Sequence, residues 1–399
     1  MNRSVTFLLI TQTATAFADR AIFFILFVVI NNFEGLASWY TPLLQLSFIL
    51  AFVVFAPWAG SFSDRRPKRN VLIIGNMAKL IGLGLLFLHL IPGFTEWAIL
   101  IGYFIVGFGA VMFSPAKYGL LPELVEKEKL VKANAWLEGT TIVAILSGQF
   151  VGAMLGEINV TMALLIAVGL YIVSTLLAFG IKLTPVIHKP KNMFLKDFVA
   201  NFRELLNHHV VRFALIGVSL FWSVAAVLQV LILEWAKGSL NLHLPSEISV
   251  LGIFIGIGIV IGSALVPMLI TLENLRRVRF AAYGMGALVI LLSQLTVVNQ
   301  AYIVLIMIGI CGGILVVPIN AALEKIGHET VGSGGAVAVQ RFNENLSMLV
   351  TLIIYTAVLA NGVSPTKIMM YLGVIIWILT LTLGLNLRNR DKTVNEMEK

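Results

Sequence analysis

Asp19, Arg20, Lys79 and Lys117 stand inside runs of apolar residues. Placing Lys, Arg or Asp at the middle of a bilayer costs about 2.5 to 3.5 kcal/mol on insertion scales, so each needs a counter-charge, a hydrogen-bonding partner or a watery cavity. Asp19 is the deepest, roughly 14 residues into its run, or about 21 Å at 1.5 Å per residue. Thr11, Thr15 and Asp19 recur at i, i+4 and i+8, and Gln12, Ala16 and Arg20 run beside them. A helix through these residues carries a polar face two stripes wide, which must point away from lipid. Asp19 is then either a carboxylate for a substrate cation or a gate, or one half of a structural pair with Arg20 or Lys79. Lys79 lies about eight residues, or roughly 12 Å, into its run, too deep for comfortable snorkelling, whereas Lys117 is near enough to an end to snorkel. Glu138 and Glu344 sit one or two turns inside their runs, with Lys117 and Arg341 as candidate partners at similar depth. Closing one end of a pathway suits these two acids better than direct substrate contact.

The elements that hold these charges follow from composition. The 399 residues are 59% hydrophobic and 12% charged, with mean hydropathy +0.95, a surface no soluble domain of this length could tolerate. In lipid every peptide group must be satisfied within the protein, and continuous apolar runs without period-2 alternation select helices over a barrel. About twelve spans are expected, near 5–31, 41–62, 71–91, 97–120, 133–156, 160–181, 210–235, 248–271, 279–297, 301–320, 334–360 and 366–387. With the N-terminus inside, cytoplasmic segments carry 21 Lys and Arg against two, Lys237 and Lys367, on the other side. That asymmetry predicts both termini in the cytoplasm. The net charge of +8 therefore reads as membrane topology rather than nucleic-acid binding. The first run carries Asp19 and Arg20 and no small-residue cleavage site, so it is expected to stay as a helix. Cys311 is the single cysteine, which rules out an intrachain disulfide.

The longest polar interruption, 182–209, divides the spans six and six and contains a short amphipathic piece. It is expected as a cytoplasmic linker between an N-terminal six-helix bundle (1–181) and a C-terminal one (210–387), with 388–399 as a cytoplasmic tail. The halves read as weak parallel repeats. Phe17 matches Phe221, Pro57 matches Pro267, and Gly109 with Pro115 matches Gly312 with Pro318. Asn134, Glu138 and Thr141 match Gln340, Glu344 and Ser347 at one offset of 206. Duplication predicts a pseudo-twofold axis along the membrane normal.

Between the second and third spans stands G60-S-F-S-D-R-R-P-K-R69, one acid and four bases in a tight loop. It resembles the G-x-x-x-D-R-x-G-x-R-R signature of the major facilitator superfamily, with Pro67 in place of the second glycine. The resemblance makes Asp64 and Arg65 gating residues, with Glu273, Arg276 and Arg277 as the second-half counterpart. A more specific block, S114-P-A-K-Y-G-L-L-P-E-L124, is followed by L130-V-K-A-N134 and Glu138. Together with A16-F-A-D19 and A338-V-Q340 through E344-N345 it resembles the bacterial lysophospholipid transporter family, a branch of that superfamily, over nearly the whole chain.

That resemblance implies an all-α integral membrane protein of the major facilitator fold in the bacterial inner membrane. It implies a flippase-like carrier moving lysophosphatidylethanolamine and related lysophospholipids from the outer to the inner leaflet. There a separate cytoplasmic acyl-acyl carrier protein synthetase and acyltransferase system would restore the second chain. Substrate-site residues are expected at Thr15, Asp19, Arg20, Lys79, Lys117, Gln229 and Gln340, and gating residues at Asp64, Arg65, Glu138, Arg341 and Glu344. This chain departs from relatives in having Arg20 after Asp19 and Gln229 where they carry an arginine, so another helix would have to supply the head-group cation. A carrier exporting drugs or hydrophobic cations shares most of these signals and remains the alternative. No histidine has an aspartate five positions on, as a membrane acyltransferase would need, and no metal cluster or nucleotide-binding loop is visible in the sequence. The expectation is a monomer among membrane lipid, without cofactor, metal or nucleic-acid partner.

Overall fold

The computed structural model describes residues 3–33, 37–90, 97–183, 194–207, 209–270, 277–331 and 333–397. Among these residues the regular elements are helical. They are α1 (Arg3–Asn32), α2 (Tyr40–Asp64), α3 (Lys68–Leu86), α4 (Trp97–Leu124), α5 (Lys127–Ile158), α6 (Val160–Phe179) and α7 (Phe194–Asn207), then α8 (His209–Ser239), α9 (Pro245–Leu269), α10 (Val278–Ser293), α11 (Val298–Val331), α12 (Ser333–Ala360) and α13 (Pro365–Met397). A 3-10 turn, Phe87–Leu90, follows α3. Among the described residues eleven helices are long and apolar enough to cross a membrane, and α10 is apolar over 16 residues. The chain is a multi-pass membrane protein.

The expected spans and the observed helices differ mainly at their ends. Helix α5 begins at Lys127 rather than 133, α11 runs to Val331 rather than 320, and α13 to Met397 rather than 387. Hydropathy marks only the apolar part of a helix, whereas the Lys, Glu and Arg beyond it are good helix formers that continue the backbone into water. Helix α10 stops earlier than expected, with Gln294 as its C-cap. The expected amphipathic piece is α7, where Leu205 is buried, Phe198 and Phe202 are half-buried, and Arg203 and Glu204 are exposed. Residues 184–193 of the linker lie outside the described residues.

Two compact units divide the chain: Met1–Ala200 with Leu244–Ser249 and Leu352–Thr356, and Asn201–His243 with Val250–Thr351 and Ala357–Lys399. In the first, α1 packs on α5 and α6, α3 on α4 and α6, and α2 on α4. Its core joins Val5 and Leu8 of α1 to Leu72 of α3, Phe113 and Leu120 of α4, and Leu137 of α5. A single residue, Asn159, separates α5 from α6, and its side-chain oxygen accepts from Met162 N at 2.9 Å, capping the new helix. In the second unit α10 packs on α11 and α13, and α8 on the same two helices. The repeat-matched prolines Pro57, Pro115, Pro267 and Pro318 all lie inside helices.

Between membrane helices apolar burial gains little over lipid, and close backbone approach provides the attraction. At the crossing of α3 and α4, a Cβ on Gly75 would stand 2.8 Å from the Gly109 carbonyl oxygen. A Cβ on Gly109 would stand 3.0 Å from Lys79 N and 2.5 Å from Lys79 Cγ. Gly109 is therefore the notch over which the buried lysine crosses. Gly109→Ala should destabilise the protein by about 1–3 kcal/mol through overpacking, while Gly84→Ala on α3, where a Cβ meets nothing within 4 Å, should be neutral or slightly stabilising. Loss of monodisperse protein on heating in detergent measures the difference, and equal behaviour of the two variants would refute the notch.

Candidate functional site

Three helices of the first unit, α1, α3 and α6, present polar residues one turn apart, and these interlock in two layers. In the first layer the Thr15 and Ser174 hydroxyls are 2.7 Å apart, Asn76 Nδ2 donates to Ser174 Oγ at 2.9 Å, and Ser174 Oγ donates to Thr11 O at 3.0 Å. All four residues are buried. In the second layer Lys79 Nζ donates to both Asp19 oxygens, at 2.7 and 2.6 Å, and Tyr171 Oη donates to Asp19 Oδ1 at 2.5 Å. The Lys79 side chain is 1% exposed and that of Asp19 23%, so the carboxylate alone of the pair reaches open space. The rings of Phe113 and Tyr171 lie 5.1 and 5.5 Å from the ammonium.

The second stripe of α1 faces a different helix. Gln12 Nε2 donates to Thr141 Oγ1 at 3.1 Å, and Arg20 Nη2 donates to Gln149 Oε1 at 3.2 Å, both on α5. The Arg20 guanidinium also lies 5.5 and 5.2 Å from the ring centres of Phe23 and Phe24. Its Nε is buried without a hydrogen-bond partner. Among the described residues, then, the acid on α1 is paired with Lys79, while Arg20 is met by neutral groups.

Both stripes border a cavity of about 270 Å³ whose lining includes Thr15, Asp19, Arg20, Lys79, Lys117 and Tyr103. Ligand pockets run from about 300 to 1,000 Å³, so this one suits a polar head group rather than a whole lipid. Three cations and one carboxylate line it, an excess of two positive charges. The apolar part of the wall comes from Phe48 and Phe52 of α2, Phe113 of α4 and Ile145 of α5.

Five of the seven residues expected at a substrate site thus share one cavity, and two do not. Gln229 is half-buried on α8, in the other unit. Gln340, on α12, donates to Asn320 Oδ1 at 2.9 Å and to Glu344 Oε1 at 2.7 Å. Of the expected gating residues, Arg341 Nη1 meets Glu344 Oε2 at 3.1 Å, with Glu344 buried and Arg341 about half exposed. Glu138 is exposed and accepts from Tyr118 Oη at 2.9 Å, a hydroxyl in place of the expected cation. Arg65 is exposed in the turn after α2, and the Asp64 side chain lies outside the described residues, as do Glu273 and Arg276. In the same loop region Lys68 forms an ion pair with Glu123 of α4. Phe23, Phe24, Phe27 and Trp235 are interior packing groups, each 3% exposed or less. Tyr171, Ser174, Asn76, Gln149 and Tyr103 were invisible to sequence reasoning, because a lone polar residue in an apolar helix has no meaning until its partner helix is placed.

Residues 8–341 match the family described as Major Facilitator Superfamily. The lysophospholipid transporter LplT of Photorhabdus laumondii subsp. laumondii is 35% identical over 367 residues, 91% of this chain and 90% of that relative. The protein of the same name from Escherichia coli (strain SE11) is 34% identical over 373 residues, 90% of each. Among solved structures, the in meso crystal structure of the POT family transporter PepTSo aligns over 98% of this chain and 99% of that one, with a TM-score of 0.74. At 12% identity this is a likeness of fold alone.

Breaking a buried ion pair by removing one partner costs about 3–5 kcal/mol, because the other charge stays behind uncompensated. Lys79→Met and Asp19→Asn should each lower heat stability strongly. The double variant should recover most of the loss, since no bare charge remains. Additive losses in this cycle would show that the two side chains are not coupled.

Proposed function

We propose, from the premise that the chain belongs to the lysophospholipid transporter LplT family of the major facilitator superfamily, that it carries lysophospholipids across a bacterial inner membrane. Lysophosphatidylethanolamine is its foremost substrate, moved from the outer to the inner leaflet and handed to a cytoplasmic acyl-acyl carrier protein synthetase and acyltransferase system. The observation that carries this reading is the net positive cavity of the first unit. A lysophospholipid brings a phosphodiester, which needs cations, and one acyl chain, which needs none.

The acid of the cavity is already engaged by Lys79 and Tyr171, so the cavity's excess charge rests with its cations. Arg20 is beside Phe23, whose ring packs on Tyr103, whereas Lys117 lies 14 residues further along α4 than Tyr103, roughly 21 Å at 1.5 Å per residue. Two cationic stations at different depths would let a phosphate descend without crossing bare hydrocarbon. Lys and Arg in the connecting segments favour cytoplasmic termini, which puts Lys117 at the inner station. Burying a sixteen-carbon tail is worth about 12 kcal/mol at about 0.8 per methylene, so the tail stays in lipid while the head group crosses.

Purified protein in liposomes should take up radiolabelled lysophosphatidylethanolamine, and no uptake above protein-free liposomes would refute the reading. Lowered dye accumulation in cells, without lysolipid uptake, would instead mark an exporter. Arg20→Gln should reduce uptake tenfold or more, about the value of one charge-assisted hydrogen bond, with normal membrane insertion. Because Asp19 is spent on Lys79, Asp19→Asn should impair lysophosphatidylethanolamine and lysophosphatidylglycerol uptake by equal factors. A clearly smaller effect on the lipid without an ammonium would mean that Asp19 touches the substrate directly.

A further inference from the structure

Tyr103 of α4 lines the cavity, yet it is only 3% exposed. Its ring is held from two sides, 5.1 Å from the Phe48 centroid and 6.3 Å from that of Phe23. Among the described residues its hydroxyl makes no hydrogen bond, and unlike Arg20 Nε it is not enclosed by protein, so it opens on the cavity. A phenol whose ring is clamped while its hydroxyl opens on a cavity is a fixed donor available to whatever enters. Tyr171, the other tyrosine near the acid, shows the contrast, since its hydroxyl is spent on Asp19.

A second donor without an acceptor stands close by. Arg20 Nε is buried and unpartnered, and the Arg20 guanidinium lies 5.5 Å from the same Phe23 ring that packs on Tyr103. Phe23 is thus a common backing for a guanidinium and a phenol at the cavity wall. Arg20 cannot satisfy the phenol, because an arginine offers no acceptor lone pair, and the phenol oxygen, although it could accept from the guanidinium, does not do so here, since Arg20 Nε has no partner. What both lack is an acceptor oxygen, and the positive excess of the cavity lining favours an anionic one. A carboxylate from the protein does not fill the role, because the one acid lining the cavity is bound through both oxygens to Lys79.

We infer that Tyr103 is a phosphate-recognition residue, donating its hydroxyl proton to a non-bridging oxygen of the substrate phosphodiester that Arg20 holds electrostatically. The inference rests on the lysophospholipid reading and adds to it the residue that distinguishes a phosphodiester from any other polar head. Phe48 and Phe23 fix the ring, so the donor waits in place and little entropy is lost on binding. Tyr103→Phe removes one oxygen and keeps both ring contacts.

The test compares wild type and Tyr103→Phe, as full-length protein in detergent, for binding of lysophosphatidylethanolamine and of monoacylglycerol with the same acyl chain, which lacks the phosphate. Wild type should prefer the phosphate-bearing lipid, and the variant should bind that lipid about tenfold more weakly, as expected for a lost hydrogen bond to a charged group. Its affinity for monoacylglycerol should be unchanged. Equal weakening toward both lipids would make Tyr103 a packing residue and overturn the inference, as would an unchanged variant or a wild type indifferent to the phosphate. Wild type that binds no lysophosphatidylethanolamine would overturn the functional reading itself, an outcome separate from all of these.

Discussion

In the hydrocarbon of a membrane an ammonium and a carboxylate are each prohibitive alone and tolerable together, and the first unit is organised around one such couple. Lys79 gives two hydrogen bonds to Asp19 and Tyr171 a third, so helices α1, α3 and α6 meet at one carboxylate. The layer beneath, Thr15 with Asn76 and Ser174, repeats the meeting one turn away. Two layers one turn apart fix the rotation as well as the separation of the helices. Turning any of them by one residue, about 100°, would move its polar groups into apolar packing and leave the partners unsatisfied.

The charge of the cavity follows from the same couple. Because Lys79 neutralises Asp19, the Arg20 guanidinium, met by neutral groups, leaves the cavity wall positive despite the acid it contains. The second unit distributes its charges otherwise: Glu344 is buried and held by Gln340 and Arg341, and Arg341 is about half exposed. Repeat-related positions therefore do not carry repeat-related environments. Glu138, the counterpart of Glu344, is exposed with a tyrosine hydroxyl for company.

Much of the fold was legible because lipid leaves a chain few choices. Apolar runs had to be helices, the α1 polar face had to point inward, and α7 was visible as an amphipathic interruption. The pairing of Asp19 was left open between Arg20 and Lys79, and the helix geometry closes it. Adjacent residues on a helix point about 100° apart, so Asp19 faces α3 and α6 while Arg20 faces α5. Tyr103 could not be singled out from sequence, because tyrosines in membrane helices are ordinary and only its missing partner makes this one informative. Internal repetition paired prolines that all lie inside helices but gave Glu138 and Glu344 equal standing, since an offset between segments carries no information about burial.

The notch at Gly109 also ties the ion pair to the helix crossing. A side chain at 109 and a lysine at 79 compete for the same space, because even a methyl group there meets the lysine stem and its backbone nitrogen. Bulk at 109 is resisted twice over, because a Cβ there would also clash with the Gly75 carbonyl oxygen, which is present whatever side chain position 79 carries. Positions 79 and 109 are thereby constrained together, and a variant that enlarges residue 109 must be accommodated by the lysine stem and by the α3 backbone at once.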